Sequence, residues 1–185
     1  MPPCRTPVTT VNTLPSAPLW HLLVAVVLPL WVLSGVADWA CHRWQRIERT
    51  AGLGESLLHV AMLGQLGAAV VMAVLFEPSP VVLWTLFGLA VAHELTMAAD
   101  IAFADHRRHI AALEQWVHCV QHGAPWVALA LWTLSHWHVP VAPGFHVRGV
   151  PWPEAWAVVA AAGAVLGLLF VEEAVRAWRE RRRGA

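Results

Sequence analysis

Apolar residues dominate five long stretches of the chain, and shorter polar segments separate these stretches. Each stretch approaches the roughly 20 residues that an α-helix needs to cross a bilayer. The Glu-Pro-Ser-Pro segment at 77–80 breaks the chain after the second stretch, and a glycine- and proline-rich loop at 140–153 follows the fourth. The predicted membrane spans are residues 19–40, 57–76, 81–103, 116–137 and 154–171.

This pattern predicts an all-α fold, a polytopic transmembrane helix bundle of about five spans, four of which form a metal-binding bundle. Composition agrees, since 58% of the 185 residues are hydrophobic and 13% are charged, unlike a soluble domain. The formal net charge is zero, so no charge excess indicates a nucleic-acid partner. We expect a mobile tail at 1–18, a transmembrane domain at 19–175 and a basic cytoplasmic tail at 176–185.

Arginines predict the orientation of the bundle. They cluster after the first, third and fifth spans, which share one side of the membrane if the chain crosses five times. Cytoplasmic loops carry an excess of arginine and lysine. We therefore expect the N-terminus outside and the C-terminus in the cytoplasm.

Carboxylates and histidines occur together near the cytoplasmic ends of four predicted helices. Three of these helices carry a carboxylate four residues before a histidine, which places both side chains on one helical face. An unpaired charge at membrane depth costs about 2.5–3.5 kcal/mol on insertion scales, so such residues pair, line a cavity or bind an ion. The predicted metal ligands are Asp38, His42, Glu55, His59, His93, Asp100, Glu114, His118 and His122.

Neutral imidazoles and carboxylates are ligands of iron, manganese and zinc. The set is too large for one tetrahedral zinc, so we expect two transition-metal ions, with iron favoured over zinc or manganese. Di-metal bundles use Glu-x-x-His, whereas the spacing here is one residue longer. For any single pair, the alternative is a hydrogen bond near the lipid headgroups. Four arginines beside the cluster are candidates to bind an anionic substrate headgroup, namely Arg43, Arg46, Arg107 and Arg108.

Three segments of the chain carry a resemblance to known proteins. They are Asp38-x-x-Cys41-His42-Arg43, Ile47-Glu48-x-Thr50-x-Gly52-x-x-Glu55-Ser56 and Glu114-Gln115-x-Val117-His118. With these segments, the region from the first to the fourth helix resembles a family of small bacterial multi-pass membrane proteins. The resemblance implies a protein of the bacterial inner membrane and no particular activity. The chain is also similar in architecture to the histidine-rich integral-membrane di-iron hydroxylases and desaturases, although carboxylates replace many of their histidines.

The leading functional hypothesis is a membrane enzyme with a di-iron site that oxidises a lipid or other apolar substrate with dioxygen and takes electrons from a donor. Zinc would instead make it a hydrolase, because zinc lowers the pKa of bound water to about 7 and Glu55 or Glu114 is placed to take the proton. A haem electron carrier is a weaker alternative, since haem needs two axial ligands per iron. A transporter and a metal-handling protein are further alternatives.

Overall fold

The computed structural model describes residues 17–137, 143–148 and 153–184, and the side chains of all of these except 153–155. Within these ranges the chain is helical apart from turns, loops and one isolated antiparallel bridge between Phe76 and Val147. A short 3₁₀ turn, Ile47–Arg49, joins the first two long helices. The five long helices are α1 (Ala17–Gln45), α2 (Leu53–Leu75), α3 (Pro80–Asp105), α4 (Ala112–Ser135) and α5 (Pro153–Arg183).

The five helices pack as a closed ring in the order α1, α4, α3, α2, α5, so that each helix contacts two neighbours. Each helix consequently turns one face to the interior and another outward. Large apolar side chains cover the outer surface, and Trp84, Leu95 and Leu168 are each at least 67% exposed. Such a surface suits a bilayer, where apolar side chains meet lipid.

Four of the helices, α1, α2, α3 and α5, are long and apolar enough to cross a membrane. This agrees with the predicted transmembrane bundle. Helix α4 is not among the four, because several of its positions are polar. Glu114, His118 and Gln121 are nevertheless buried, so α4 turns its polar face into the ring. The fold is the predicted all-α bundle, with four spans that meet the criteria of length and composition.

The end of the chain differs from the sequence prediction. The predicted basic tail at 176–185 is helical as far as Arg183, and α5 continues well past the end of its predicted span at 171. Arginine and glutamate are good helix formers, and they pair along this segment, with Arg176 Nε 3.4 Å from Glu172 Oε1. The predicted tail at 1–18 falls outside the described residues up to 16, and α1 already includes Ala17 and Pro18.

Two local features shape the ends of the bundle. Pro29 lacks the N–H that would bond to the Ala25 carbonyl. The adjoining turn of α1, Leu23–Val27, is π-helical, and the Leu28 N–H donates to the Leu23 carbonyl. Gly54 lets the start of α2 approach the end of α3, because a Cβ there would lie 2.3 Å from the Phe103 ring. This approach brings the first turn of α2 next to the last turns of α3.

Candidate metal centre

One end of the ring interior is filled by carboxylate and imidazole side chains from all five helices. These residues, which we call the polar cluster, are each at most 6% exposed. The loop between α3 and α4 adds Arg108, whose side chain is 5% exposed. The polar cluster consists of Asp38 and His42 on α1, Glu55 and His59 on α2, Asp100 on α3, Glu114 and His118 on α4, and Glu173 on α5.

A first set of potential ligands joins α1 and α4. Asp38, His42, Glu114 and His118 each offer one ligand atom, and these four atoms lie within 4.8 Å of one another. His42 Nε2 is 3.1 Å from Glu114 Oε1 and 3.4 Å from Asp38 Oδ1, and His118 Nε2 is 3.3 Å from the same Asp38 oxygen. Asp38 Oδ1 makes no hydrogen bond despite these two neighbours. Within this set His42 Nε2 and Glu114 Oε1 form a hydrogen bond, so Asp38 Oδ1 is the unsatisfied oxygen that an ion could bind.

A second set joins α2 and α3. Glu55, His59 and Asp100 offer atoms that also lie within 4.8 Å of one another. His59 Nε2 is 3.3 Å from Asp100 Oδ2, while Asp100 Oδ1 has no hydrogen-bond partner. The second set therefore repeats the chemistry of the first, with carboxylates around an imidazole Nε2.

Glu173 connects the two sets. Its Oε1 is 2.8 Å from His59 Nδ1, and its Oε2 is 3.1 Å from His42 Nδ1. The two imidazole rings are stacked, with centroids 4.5 Å apart and planes 8° from parallel. These three residues form a third group that could hold an ion.

Arg108 bridges the same two sets on another side. Its Nη1 donates to Glu114 Oε2 at 3.0 Å, its Nε donates to Glu55 Oε2 at 3.1 Å, and its Nη2 contacts both carboxylates. Burial alone would lower the pKa of Arg108, but the hydrogen bonds that it donates to Glu114 and Glu55 outweigh burial, and the pKa is raised. Arg108 is thus a fixed positive charge between the two sets.

Seven of the nine predicted ligands belong to these sets, while His93 and His122 lie outside them. His93 is buried on α3, and neither of its ring nitrogens has a hydrogen-bond partner within the described part of the chain. The edge of its ring faces Trp31, with centroids 6.5 Å apart. His122 is half-buried, and its Nδ1 lies 2.6 Å from Glu94 Oε1.

The four arginines predicted to bind a headgroup lie in different environments. Arg43 is half-exposed and pairs with Glu172, and Arg46 ends α1 in the left-handed conformation with φ 55°. Arg107 covers the Phe103 ring at 3.6 Å. Only Arg108, among these four, reaches the polar cluster, and there it binds carboxylates of the protein itself.

The sequence prediction did not include Glu173. The predicted fifth span ends at 171 and the predicted transmembrane domain at 175, and no ligand is predicted between these positions. A signal for its burial exists, because Phe170, Glu173 and Ala177 follow helical spacing and are all buried. Recognising this stripe required α5 to continue through the charged segment.

The opposite half of the ring is apolar and contains a cavity of about 100 Å³. Its lining includes Trp31 on α1, Leu66 on α2, Leu86 on α3 and Ala128 on α4. Trp31 faces both this cavity and His93, so the pair lies between the apolar half and the polar cluster.

The charge of the polar cluster limits its chemistry. Its five carboxylates and the guanidinium of Arg108 leave four negative charges when the imidazoles are neutral. Protonation of the three imidazoles would offset three of these charges, whereas two divalent ions would offset all four.

No protein-family model, curated protein or solved structure matches the chain.

Proposed function

We propose that the protein is an integral-membrane enzyme that binds two divalent transition-metal ions in the polar cluster and oxidises an apolar substrate with dioxygen. The observation that carries the proposal is the pair of adjacent ligand sets, in which donor atoms lie within 4.8 Å of one another and two carboxylate oxygens lack hydrogen bonds. Buried unpaired oxygens are costly, and bound cations would offset that cost.

The two sets divide the ligands between the ions. The first ion would take Asp38, His42, Glu114 and His118, and the second would take Glu55, His59 and Asp100. Carboxylate and imidazole donors without thiolate favour iron and manganese, and paired carboxylate sites in helical bundles hold iron or manganese. We therefore favour iron over zinc.

Iron, when bound, would supply the dioxygen binding and the electron transfer that this reaction needs. The proposed reaction inserts one oxygen atom into a C–H bond, and the second atom becomes water with two electrons from an external donor and two protons. The protein excludes bulk water from the polar cluster, because its side chains are at most 6% exposed. The apolar cavity and the lipid-facing surface suit a lipid or other hydrocarbon substrate.

We further propose that the polar cluster lies at the cytoplasmic face of a bacterial inner membrane. The loops at this end of the ring carry Arg46, Arg49 and Arg107, and α5 ends there in three successive arginines. Reporter fusions at the α1–α2 loop and the C-terminus should therefore be cytoplasmic, and a fusion at the α2–α3 turn should be external. A cytoplasmic reporter at the α2–α3 turn would contradict this orientation.

Paired variants on one helix test the metal sites. His118→Ala removes a donor of the first set, so we expect the purified protein to lose one of its two ions. His122→Ala is the matched control, because His122 lies one turn along the same helix and outside the sets. It should keep both ions, as measured by elemental analysis per chain. Equal metal content in the two variants would contradict the assigned sites, and zinc in place of iron would support a hydrolase.

A further inference from the structure

Glu173 holds two imidazoles at once and is itself 0% exposed. Each carboxylate oxygen contacts one imidazole ring: Oε1 lies 2.8 Å from His59 Nδ1, and Oε2 lies 3.1 Å from His42 Nδ1. An ionised carboxylate only accepts hydrogen bonds, so both Nδ1 atoms must carry the protons. On the other side of each ring Nε2 meets Glu114 or Asp100, so a metal-free ring can carry a second proton there. When an ion replaces that proton, the lone pair lies on Nε2 and Nδ1–H stays on Glu173.

We infer that Glu173 is a positioning residue that fixes His42 and His59 in the same tautomer, so that both Nε2 atoms face the ligand carboxylates. The inference rests on the proposed function and extends it to a residue outside the two ligand sets. Carboxylates commonly orient metal-binding histidines in this way, and loss of such a partner typically costs 10- to 100-fold in metal affinity or activity.

The stacking of the rings gives this arrangement a second consequence. The rings are nearly parallel, 8° apart, with centroids separated by 4.5 Å, and their Nδ1 atoms meet the same carboxylate. On the other edge of the rings, His42 Nε2 meets Glu114 Oε1 and His59 Nε2 meets Asp100 Oδ2, so each ring serves its own ligand set. Ions bound to the two rings would be close neighbours, as in two-metal sites, where ions lie about 3.5–4 Å apart. The Glu173 carboxylate thus holds the two proposed metal sites next to each other.

Glu173 could instead be a ligand, since it forms a third potential group with the same two histidines. A neutral imidazole has a single lone pair, so ligation through Nδ1 would prevent His42 and His59 from binding ions through Nε2. The third group is therefore incompatible with simultaneous occupation of the first two sets. Two ions with seven ligands offset more buried charge than one ion with three ligands, which favours the positioning role.

Glu173→Gln tests the inference with almost no change in shape. The amide oxygen can accept from one Nδ1–H, but the amide NH₂ must donate to the other ring. That second ring then carries its proton on Nε2 and cannot bind metal there. We expect the variant to hold one ion per chain instead of two. Glu172→Gln is the matched control, because Glu172 is 40% exposed and binds Trp39 and Arg43 outside the cluster.

Nitrogen NMR of isotope-labelled histidine in the metal-free protein, at alkaline pH, measures the tautomers without relying on metal binding. The native protein should show Nδ1–H on both His42 and His59, with one ring changed in Glu173→Gln and neither in Glu172→Gln. A native ring without Nδ1–H, or unchanged rings in Glu173→Gln, would overturn the inference. If the tautomers behave as expected but the native protein takes up no metal, the positioning role stands and the proposed function fails. The native measurement remains decisive even if Glu173→Gln does not fold.

Discussion

The two halves of the helix ring are built on opposite principles. In one half, Leu23, Val82, Leu86, Leu131 and Trp132 form an apolar core that needs only close packing in a bilayer. In the other half, the five helices together bury five carboxylates and three imidazoles, groups that are costly at membrane depth. The comparison separates a region that holds the ring together by packing from a region whose buried charges, as we propose, are offset by bound metal ions.

Arg108 should be the most sensitive residue of the polar half. Arg108→Met leaves Glu55 and Glu114 facing each other without their fixed cation, and breaking a buried ion pair costs about 3–5 kcal/mol. The free energy of unfolding of the metal-free protein should fall by that amount, and added metal should restore part of it.

Arg107→Met is the matched control for Arg108. Arg107 is exposed, so its loss should change stability by about 0.5 kcal/mol or less. Chemical unfolding in detergent, with and without metal, measures both variants. Equal effects of the two substitutions would show that the polar cluster does not depend on the Arg108 cation.

A core substitution in the apolar half should separate stability from metal binding. Leu86→Ala removes packing from a residue that is 6% exposed, and it should cost about 2 kcal/mol while the metal content stays unchanged. Leu95→Ala, on the same helix but 67% exposed, should cost little. Loss of metal in Leu86→Ala without unfolding would show that the two halves are not independent.

A smaller effect is expected where the helices approach at the polar end. Gly54→Ala brings a Cβ against the Phe103 ring and should shift the start of α2, at a cost of about 1 kcal/mol and with weaker metal binding. Gly64→Ala lies on the same helix with no atom within 4 Å of the added Cβ, so it should be neutral or slightly stabilising. Thermal unfolding and metal titration compare the two, and identical behaviour would argue against a close approach at Gly54.

The sequence predicted the apolar half and much of the polar half. Hydrophobic stretches and the proline turn before α3 located the helices, and four-residue spacing identified pairs such as Asp38 and His42. Local spacing could not show that Arg108 turns inward, because a loop arginine ordinarily faces water. It also could not show that His93 stays outside the ligand sets, since its seven-residue spacing from Asp100 describes one helix face and not its depth. Both outcomes depend on how distant helices pack.

The proposed metal centre is tested most directly by the number of metal ions bound per native chain. The protein is purified, stripped with a chelator, titrated with iron(II) under anaerobic conditions, and analysed for bound metal. The charge of the polar cluster and its two ligand sets predict two ions per chain, with a visible spectrum typical of iron after exposure to air. A native, folded protein that binds no transition metal would contradict the proposed metal centre, because the carboxylates would then be balanced by Arg108 and protonated histidines alone.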